Sequence, residues 1–468
     1  LKGDAEPEYV QEVAAFVNER MNEVAAHSAV ASTAKVAILA AVAIPLMSAN
    51  KKRAMAAEAE AALQEAQRPG PLFFKLSLAQ WSLHRTIRSG ALDALVIGDP
   101  WRPDVDVSPV IDADAQSDIM GYIAAHEKAG TLIKKLPAPS EGTYVTPAIV
   151  KVDGIANMER EIFGPVLHVA TFKARDIDKV VDAINERQYG LTFGLHTRID
   201  DRVEQIIERI QVGNCYVNRN QIGAIVGSQP FGGEGLSGTG PKAGGPLYLT
   251  RFRRIGKVES HAAPLGDALS SDALHKALGM IDARNWAART DRVHVLRTAF
   301  SGKSGLVRKA LTETAAMDLS PQTLPGPTGE SNRLRTFPRG NVLCLGPTVE
   351  IALAQAIQAL GTGCGAVLAV PGVSSAAREL IASGAPVATL DGTVSPDTLK
   401  TVNGFAVVAA CGQSDWTRDL RIALSERDGP IIPLVTEPVG PERFVLERHL
   451  CIDTTAAGGN ASLLASAS

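Results

Sequence analysis

The stretch "NRNQIGAIVGSQPFGGEGLSGTGPKAGGP", from Asn218 to Pro246, holds nine glycines. Glycine loses the most conformational freedom on folding, so this density needs a structural reason. One reason is close approach of the backbone to a ligand. The N–H groups of "GAIVG" (223–227) could bind a carboxylate without a positive side chain, and Phe231 could wall an apolar pocket. The alternative is a flexible surface loop.

The bulk composition indicates a soluble globular protein of several domains. The chain has 468 residues, 45% of them hydrophobic and 21% charged, with a net charge of −3. This charge argues against a general nucleic-acid binder, which would show a basic face, and fits small-molecule chemistry. The most apolar run, Val36–Met47, is too short to cross a bilayer and contains a proline, which predicts a buried helix and no membrane span.

The cysteines point to a reducing compartment. The five are scattered and have no CxxC spacing, which argues against a zinc site or a disulfide framework. No secretory signal is expected at the start of the chain. The predicted location is therefore the cytoplasm.

Strands and helices alternate along the middle of the chain, which predicts a largely parallel sheet covered by helices. The predicted strands lie near 145–151, 165–172, 192–197 and 214–218, and the predicted helices near 175–187 and 200–211.

Three further regions have recognisable patterns. Residues 255–330 are interpreted as helical and polar, and residues 339–370 as one strand–helix–strand unit. The turn of that unit, "LGPTVE", lacks the glycine and lysine signatures of nucleotide-binding loops, so a scaffold without a ligand is predicted. Residues 72–81, "LFFKLSLAQW", alternate as a strand does.

A second candidate site lies in "EREIFGPVLHV" (159–169), where a Gly-Pro turn leads into a strand. Glu161 and Phe163 could face one cleft, where the carboxylate would accept hydrogen bonds from ribose hydroxyls and the ring would pack on a nicotinamide. A helix-to-strand connection with a surface glutamate is the alternative.

Several motifs together resemble the aldehyde dehydrogenase family. "EIFGPV", "GLTFGLHTR", "GNCYVNR" and "QPFGGEGLSGTGPKAGGP" occur in its order and spacing. The fuller stretch "NRNQIGAIVGSQPFGGEGLSGTGPKAGGPLYL" resembles the L-glutamate γ-semialdehyde (Δ1-pyrroline-5-carboxylate) dehydrogenase module of the bifunctional PutA proteins of proline catabolism. The likeness extends from about Leu95 to Ser468 and includes their C-terminal domain.

The resemblance implies NAD-dependent oxidation of an aldehyde substrate and assigns roles to five residues. Glu161 and Phe163 would contact the nicotinamide ribose and ring. Gly223 and Ala224 would anchor the carboxylate of the substrate through backbone N–H groups, and Phe231 would lie beside the aldehyde. No catalytic residue and no metal ligand can be assigned in this way.

The family's cysteine nucleophile and glutamate general base have no matching stretch in this sequence. No cysteine precedes Cys215, which lies in the apolar stretch "GNCYVN" and is interpreted as a core residue, as are Cys344 and Cys364. Because the thiolate must attack the aldehyde before hydride leaves to NAD, a truncated dehydrogenase with little or no turnover is expected.

The N-terminal residues carry a different resemblance. Residues 1–48 are similar to the cell division protein ZapA, although Pro45 interrupts the helix that would lead into its coiled coil. Residues 73–95 weakly resemble the start of a sugar isomerase/epimerase barrel. The chain is therefore interpreted as a composite. A non-catalytic interaction protein that pairs through these helices, with itself or with a partner, is the alternative function, and a fragment acting only in trans with another subunit is a third.

The predicted fold class is α/β. It comprises a partial aldehyde dehydrogenase catalytic domain, with a mostly parallel sheet and helices, and a degenerate Rossmann-like α/β domain, preceded by a helical N-terminal segment. The predicted boundaries are 1–68 for the ZapA-like helices and linker, 69–94 for a short strand–helix segment, 95–255 for the dehydrogenase part and 256–468 for the C-terminal domain.

Overall fold

A computed structural model of the chain describes residues 95–197, 199–221, 223–252, 261–302 and 305–454. The predicted helical segment at the N-terminus, the buried helix at Val36–Met47 and the strand at 72–81 lie outside the described residues. The described part is a mixed α/β structure that contains parallel sheets, which confirms the predicted fold class for these residues.

The strands and helices predicted between 145 and 218 are confirmed to within a few residues. The strand β1 was not predicted. The elements of this first part are β1 (Leu132–Lys135), β2 (Ala148–Lys151), β3 (Val166–Val169), β4 (Tyr189–Gly190), β5 (Thr192–Leu195), β6 (Asn214–Val217), β7 (Glu234–Gly235), α1 (Ala113–Lys128), α2 (Ile177–Arg187) and α3 (Asp200–Arg209).

Helix α1 begins at a side-chain cap and packs on the first sheet. The Asp112 carboxylate accepts a hydrogen bond from the Ala115 N–H at 2.8 Å, which satisfies one of the free donors of the first turn. Its buried residues Ile119 and Ile123 join β2 and β3 in one apolar cluster. Helices α2 and α3 bury their apolar faces in a second cluster with β5 and β6.

The strands of the first part lie in different sheets. One sheet has the order β1-β2-β3, with β1 antiparallel to β2 and β2 parallel to β3. Strands β5 and β6 are parallel neighbours in another sheet. The largely parallel sheet expected from the sequence is thus divided, because no described strand joins β3 to β5.

The second part contains the five-stranded parallel sheet β12-β11-β10-β13-β14. Its elements are β8 (Gln322–Leu324), β9 (Glu330–Pro338), β10 (Asn341–Cys344), β11 (Gly365–Ala369), β12 (Val387–Leu390), β13 (Val407–Ala409), β14 (Leu434–Val435), β15 (Val445–Asp453), α4 (Ser271–Gly279), α5 (Arg284–Ala287), α6 (Arg292–Ala299), α7 (Gly305–Ala315), α8 (Val349–Gly361), α9 (Val373–Ala376), α10 (Arg378–Ala382), α11 (Pro396–Thr401) and α12 (Ser414–Ser425).

The strand–helix–strand unit predicted for 339–370 is confirmed. Strands β10 and β11 are parallel, with Asn341 opposite Gly365, and α8 connects them. The interpretation of 255–330 as helical holds for α4 to α7 but is wrong at its end. There β8 pairs antiparallel with β9, a tertiary pairing that overrides local preference.

Strand β15 links the end of the described chain to the first part. It pairs in parallel with β6, with His449 opposite Asn214, and antiparallel with β9 along its whole length. The resulting sheet has the order β5-β6-β15-β9-β8. The glycine-rich stretch begins directly after β6, so its starting point is set by this sheet.

Candidate functional site

The glycine loop, residues 223–229, follows β6 and reaches the surface. Gly223 is exposed, Ala224 is half-buried, and the Val226 side chain is 99% exposed. The N–H groups of Ser228 and Gln229 both donate to the Ile225 carbonyl, which forms a compact turn. The loop therefore combines an exposed backbone at its start with a folded turn at its end.

The side chain of Gln229 holds this turn in place. Its side chain is buried, and its Oε1 accepts the Ile225 N–H at 3.1 Å. Its Nε2 donates to Glu330 Oε1 at 2.7 Å. The buried Gln229 amide thus accepts a hydrogen bond from the loop and donates one to Glu330, the first residue of β9. The position of the glycine loop therefore depends on β9.

Glu330 is shared by two groups of the first part. Besides Gln229, it binds Arg219 through a 2.5 Å ion pair in which both side chains are less than one-sixth exposed. Arg219 also donates to Cys451 Sγ at 3.2 Å on β15. These contacts were not predicted from the sequence, since the partners lie more than a hundred residues apart.

The later glycines of the stretch are packed closely. A Cβ at Gly213, just before β6, would lie 1.9 Å from the Gly232 carbonyl oxygen. Gly235 has a positive φ of 64°, and its Cβ would lie 2.3 Å from the Gln188 carbonyl oxygen. Both positions require glycine. Because Gly235 and the Gly232 backbone that contacts Gly213 belong to the stretch, this part of it is not a freely flexible linker.

A buried lysine lies within the same stretch. Lys242 is 2% exposed, and its Nζ donates to Asn214 Oδ1 at 2.8 Å and to the Gly232 carbonyl at 2.5 Å. Burial lowers the pKa of Lys242 to about 7, although the nearby carboxylates of Glu447 and Glu234 favour its charged form. The sequence analysis did not single out this residue.

Phe231 lies between the loop and the lysine. Its side chain is half-buried, and its backbone exchanges hydrogen bonds of 3.0 and 2.8 Å with Ala243. This two-residue bridge fixes the backbone of Phe231 eight residues after Gly223. The Phe231 ring is therefore attached to a backbone segment that is fixed by hydrogen bonds and lies close in sequence to the glycine loop.

The other two predicted site residues precede β3. Glu161 is exposed, and the Phe163 ring is 86% exposed. A Cβ at Gly164 would lie 2.6 Å from Ile119 Cδ1, so the turn after Phe163 packs tightly on α1. These two residues precede β3, whereas the glycine loop follows β6. Strands β3 and β6 belong to different sheets, and no described strand pairing joins those sheets.

All five cysteines are buried and free of disulfides. Burial raises the pKa of the Cys215 and Cys451 thiols to about 12 and that of Cys411 to about 11. It also raises the pKa of Cys344 and Cys364. A nucleophilic cysteine needs a low pKa and access to substrate, so these thiols have the properties of core residues.

The described residues offer neither a cluster of metal-binding side chains nor a membrane-spanning helix. They contain no group of three or more histidine, cysteine or acidic side chains arranged to hold a metal ion. No helix within this part of the chain is long and apolar enough to cross a bilayer.

Comparison with known proteins gives separate matches for the N-terminal residues and for the part of the chain that carries the candidate site. Residues 86–258 match the aldehyde dehydrogenase family model. This segment contains strands β1 to β7. Residues 1–69 match the model for cell division protein ZapA and lie outside the described part. All five predicted site residues fall within the aldehyde dehydrogenase segment.

Individual relatives extend the similarity beyond that segment. Bifunctional protein PutA of Escherichia coli is 36% identical over 397 residues, which is 80% of this chain and 29% of the relative. 1-Pyrroline-5-carboxylate dehydrogenase 2 of Halalkalibacterium halodurans is 45% identical over 158 residues, 33% of this chain and 30% of the relative. The chain thus spans less than a third of the length of these curated relatives.

A solved structure is similar over a shorter region. The crystal structure of a mutant of Proline Utilization A (PutA) from Bradyrhizobium japonicum is 49% identical. The match covers 36% of this chain and 18% of that one, with a TM-score of 0.34.

Proposed function

We propose that this chain carries the carboxylate-binding and nicotinamide-facing residues of an L-glutamate γ-semialdehyde dehydrogenase. Such an enzyme oxidises the semialdehyde to L-glutamate with NAD during proline catabolism. The observation that carries the proposal is the glycine loop, whose start is exposed and whose end is held by the buried Gln229. The similarity to PutA and to 1-pyrroline-5-carboxylate dehydrogenase supports the same substrate.

The substrate would be held by backbone groups. The N–H groups of Gly223 and Ala224 would donate to its carboxylate, which needs no nearby cation when several backbone donors converge. A Cβ at Gly223 would meet no atom within 4 Å, so there is open space beside this backbone. Phe231 would provide an apolar wall beside the aldehyde.

The residues before β3 would contact NAD. Glu161 has an exposed carboxylate that can accept hydrogen bonds from two ribose hydroxyls, and the exposed ring of Phe163 can pack on the nicotinamide. Both side chains are therefore available for such contacts. When bound, NAD supplies the hydride acceptor for oxidation of the aldehyde.

We further propose that the chain by itself turns over little or no semialdehyde. Oxidation requires a thiolate that attacks the aldehyde carbon and a base that then activates water. The five buried cysteines, with their raised pKa values, have neither the access nor the ionisation that this step needs. This supports a binding role for the described residues without a nucleophile of their own.

Turnover is tested with the purified full chain, L-glutamate γ-semialdehyde and NAD, by the absorbance of NADH. We expect no NADH above the rate without protein, while an active 1-pyrroline-5-carboxylate dehydrogenase in the same buffer serves as the positive control. Rapid NADH formation that Cys215→Ser abolishes and Cys411→Ser leaves intact would refute the proposed lack of turnover.

The proposal also includes the domain boundaries of the chain, its cellular location and its oligomeric state. The dehydrogenase part would extend over 95–255 and the C-terminal domain over 256–468, after the ZapA-like segment at 1–68 and the short segment at 69–94. Five buried free thiols support a reducing compartment, which we propose to be the cytoplasm. Self-association into a homo-oligomer is also proposed.

A second candidate function is supported by the match of residues 1–69 to cell division protein ZapA. Apolar residues at Val10, Val13 and Val17 recur at helical spacing, which favours pairing of the segment with itself or a partner. Sedimentation of the full chain tests this. We expect an oligomer that Val13→Glu dissociates and the control Asn18→Glu preserves, and a monomer at all concentrations would remove self-association.

A further inference from the structure

Three buried polar side chains form a row across the sheet β5-β6-β15-β9-β8. Asn214 on β6 lies opposite His449 on β15, and Asn332 on β9 lies opposite Cys451, two residues further along β15. Each of the three side chains, Asn214, His449 and Asn332, is at most 1% exposed. Since successive residues of a strand face opposite sides, the row lies on the face away from the apolar cluster that α2 and α3 cover.

Asn214 holds the backbone on both sides of Phe231. Its Nδ2 donates to the Pro230 carbonyl at 2.9 Å, and its Oδ1 accepts from the Gly232 N–H at 3.2 Å. Because a backbone carbonyl only accepts and a backbone N–H only donates, these two contacts fix the orientation of the amide. Leaving a buried amide unpaired is costly, so Asn214 restrains the backbone that carries the Phe231 ring.

His449 connects Asn214 to β9. Its Nδ1 lies 3.4 Å from Asn214 Nδ2, and its Nε2 lies 3.1 Å from Asn332 Oδ1. An amide nitrogen donates and an amide oxygen accepts, so the neutral ring accepts at Nδ1 and carries its proton on Nε2. Burial, assisted by the positive charges of Lys242 and Arg219, lowers the pKa of His449 to about 3. The ring is therefore neutral at neutral pH.

The glycine loop lies at the other end of the same chain of hydrogen bonds. Asn332 Nδ2 donates to Glu330 Oε1 at 3.0 Å, which fixes the Asn332 amide because a carboxylate accepts. Glu330 Oε1 also accepts from Gln229, whose own Oε1 accepts the Ile225 N–H of the loop. From Asn214 to Glu330 every donor points in the same direction, and hydrogen bonds in such a chain strengthen one another.

We propose that His449 is a positioning residue that keeps the Phe231 segment and the glycine loop in a fixed relation. The inference rests on the proposed function, which makes these two elements the walls of one substrate site. His449 acts on the two walls through Asn214 and Asn332. Without the imidazole, Asn214 would lose an acceptor and Asn332 a donor, and both buried amides would be free to turn away from the walls.

Two substitutions of His449 separate hydrogen bonding from packing. His449→Leu removes both ring nitrogens, whereas His449→Gln keeps one acceptor and one donor. We expect His449→Leu to speed hydrogen exchange of the Gly232 and Ile225 amides at least about tenfold, and His449→Gln to restore most of their protection. The control His294→Leu removes an exposed histidine of α6 and should change neither amide. The amide of Leu343, in the parallel sheet, reports whether each variant is folded.

The nitrogen signals of the His449 ring provide a measurement without any substitution. In ¹⁵N spectra of the parent chain we expect a neutral ring, protonated on Nε2, from about pH 5 to about pH 8, although an unperturbed histidine has a pKa of about 6.5. A ring that titrates in this range, or that carries its proton on Nδ1, overturns the proposal.

Binding of L-glutamate distinguishes this inference from the proposed function. The affinity, followed at the Gly223 amide, should fall at least about fivefold in His449→Leu and recover in His449→Gln. Unchanged affinity, or unchanged exchange of the Gly232 and Ile225 amides, in folded His449→Leu overturns the positioning role. Absence of binding in the parent counts against the proposed function alone, because exchange and the ring signals decide the role of His449 without a ligand.

Discussion

The Gln229 side chain donates to Glu330 across 101 positions of sequence, at a distance of 2.7 Å. The same carboxylate binds Arg219, which lies at the other end of the segment that carries the glycine loop. One acidic side chain of β9 therefore holds both ends of the proposed substrate-binding loop. A side chain from the second part of the described chain therefore helps to position a candidate site whose predicted binding residues lie in the first part.

Glu330→Gln should destabilise the chain by about 3 kcal/mol. Arg219 would remain largely buried without its counter-charge. Substitutions that leave a buried charge unpaired are among the most destabilising. Urea unfolding measures the change. The control is Glu204→Gln on α3, where the carboxylate is exposed, and equal unfolding midpoints for the two variants would show that the ion pair contributes nothing.

Lys242 should make stability depend on pH. Its pKa in the folded chain is about 7, below the usual 10.5, so the unfolded chain binds more protons between these values. The free energy of unfolding should therefore rise with pH from about 7 upward, by at most about 1.4 kcal/mol per pH unit.

Lys242→Met isolates this contribution. The difference in unfolding free energy between the parent and this variant should change between pH 7 and 8.5 and be constant below pH 6. Lys309→Met, at an exposed position of α7, controls for the loss of one positive charge. A difference that stays flat across the range would contradict a buried lysine with a lowered pKa.

Two glycine-to-alanine variants should behave in opposite ways. At Gly213 the new Cβ would lie 1.9 Å from a backbone oxygen, and at Gly223 it would meet nothing within 4 Å. We expect Gly213→Ala to lose about 3 kcal/mol of stability through overpacking, while Gly223→Ala stays within about 0.5 kcal/mol of the parent. Thermal unfolding compares them directly, and similar losses would show that the stretch is not packed as described.

The sequence predicted the local elements well because their apolar spacing reflects burial. Strands β2, β3, β5 and β6 and helix α2 lie where strand and helix periodicity indicated. The pairing of β15 with β6 was not predicted, since the register between strands more than two hundred residues apart depends on tertiary packing. One available signal was Asn214 and His449, polar residues inside apolar strands, which are buried together.

The candidate site was predicted less completely. The motifs indicated the glycine loop and Phe231, but Lys242, Gln229 and Glu330 have side chains that are usually exposed, and nothing local in the sequence marks them as buried. The burial of Lys242 and Gln229 follows from the approach of β9 and β15, and Glu330 on β9 is itself half-buried. The roles of Glu161, Phe163, Gly223, Ala224 and Phe231 in binding stay predictions.

Binding of L-glutamate to the full chain, followed by amide chemical shifts, tests the proposed carboxylate site most directly. We predict saturable shifts of the Gly223 and Ala224 amides, retained in Gly223→Ala and lost in Ala224→Pro, which removes one backbone donor. Absence of any shift at these amides in the parent, or unchanged binding in Ala224→Pro, would contradict the account.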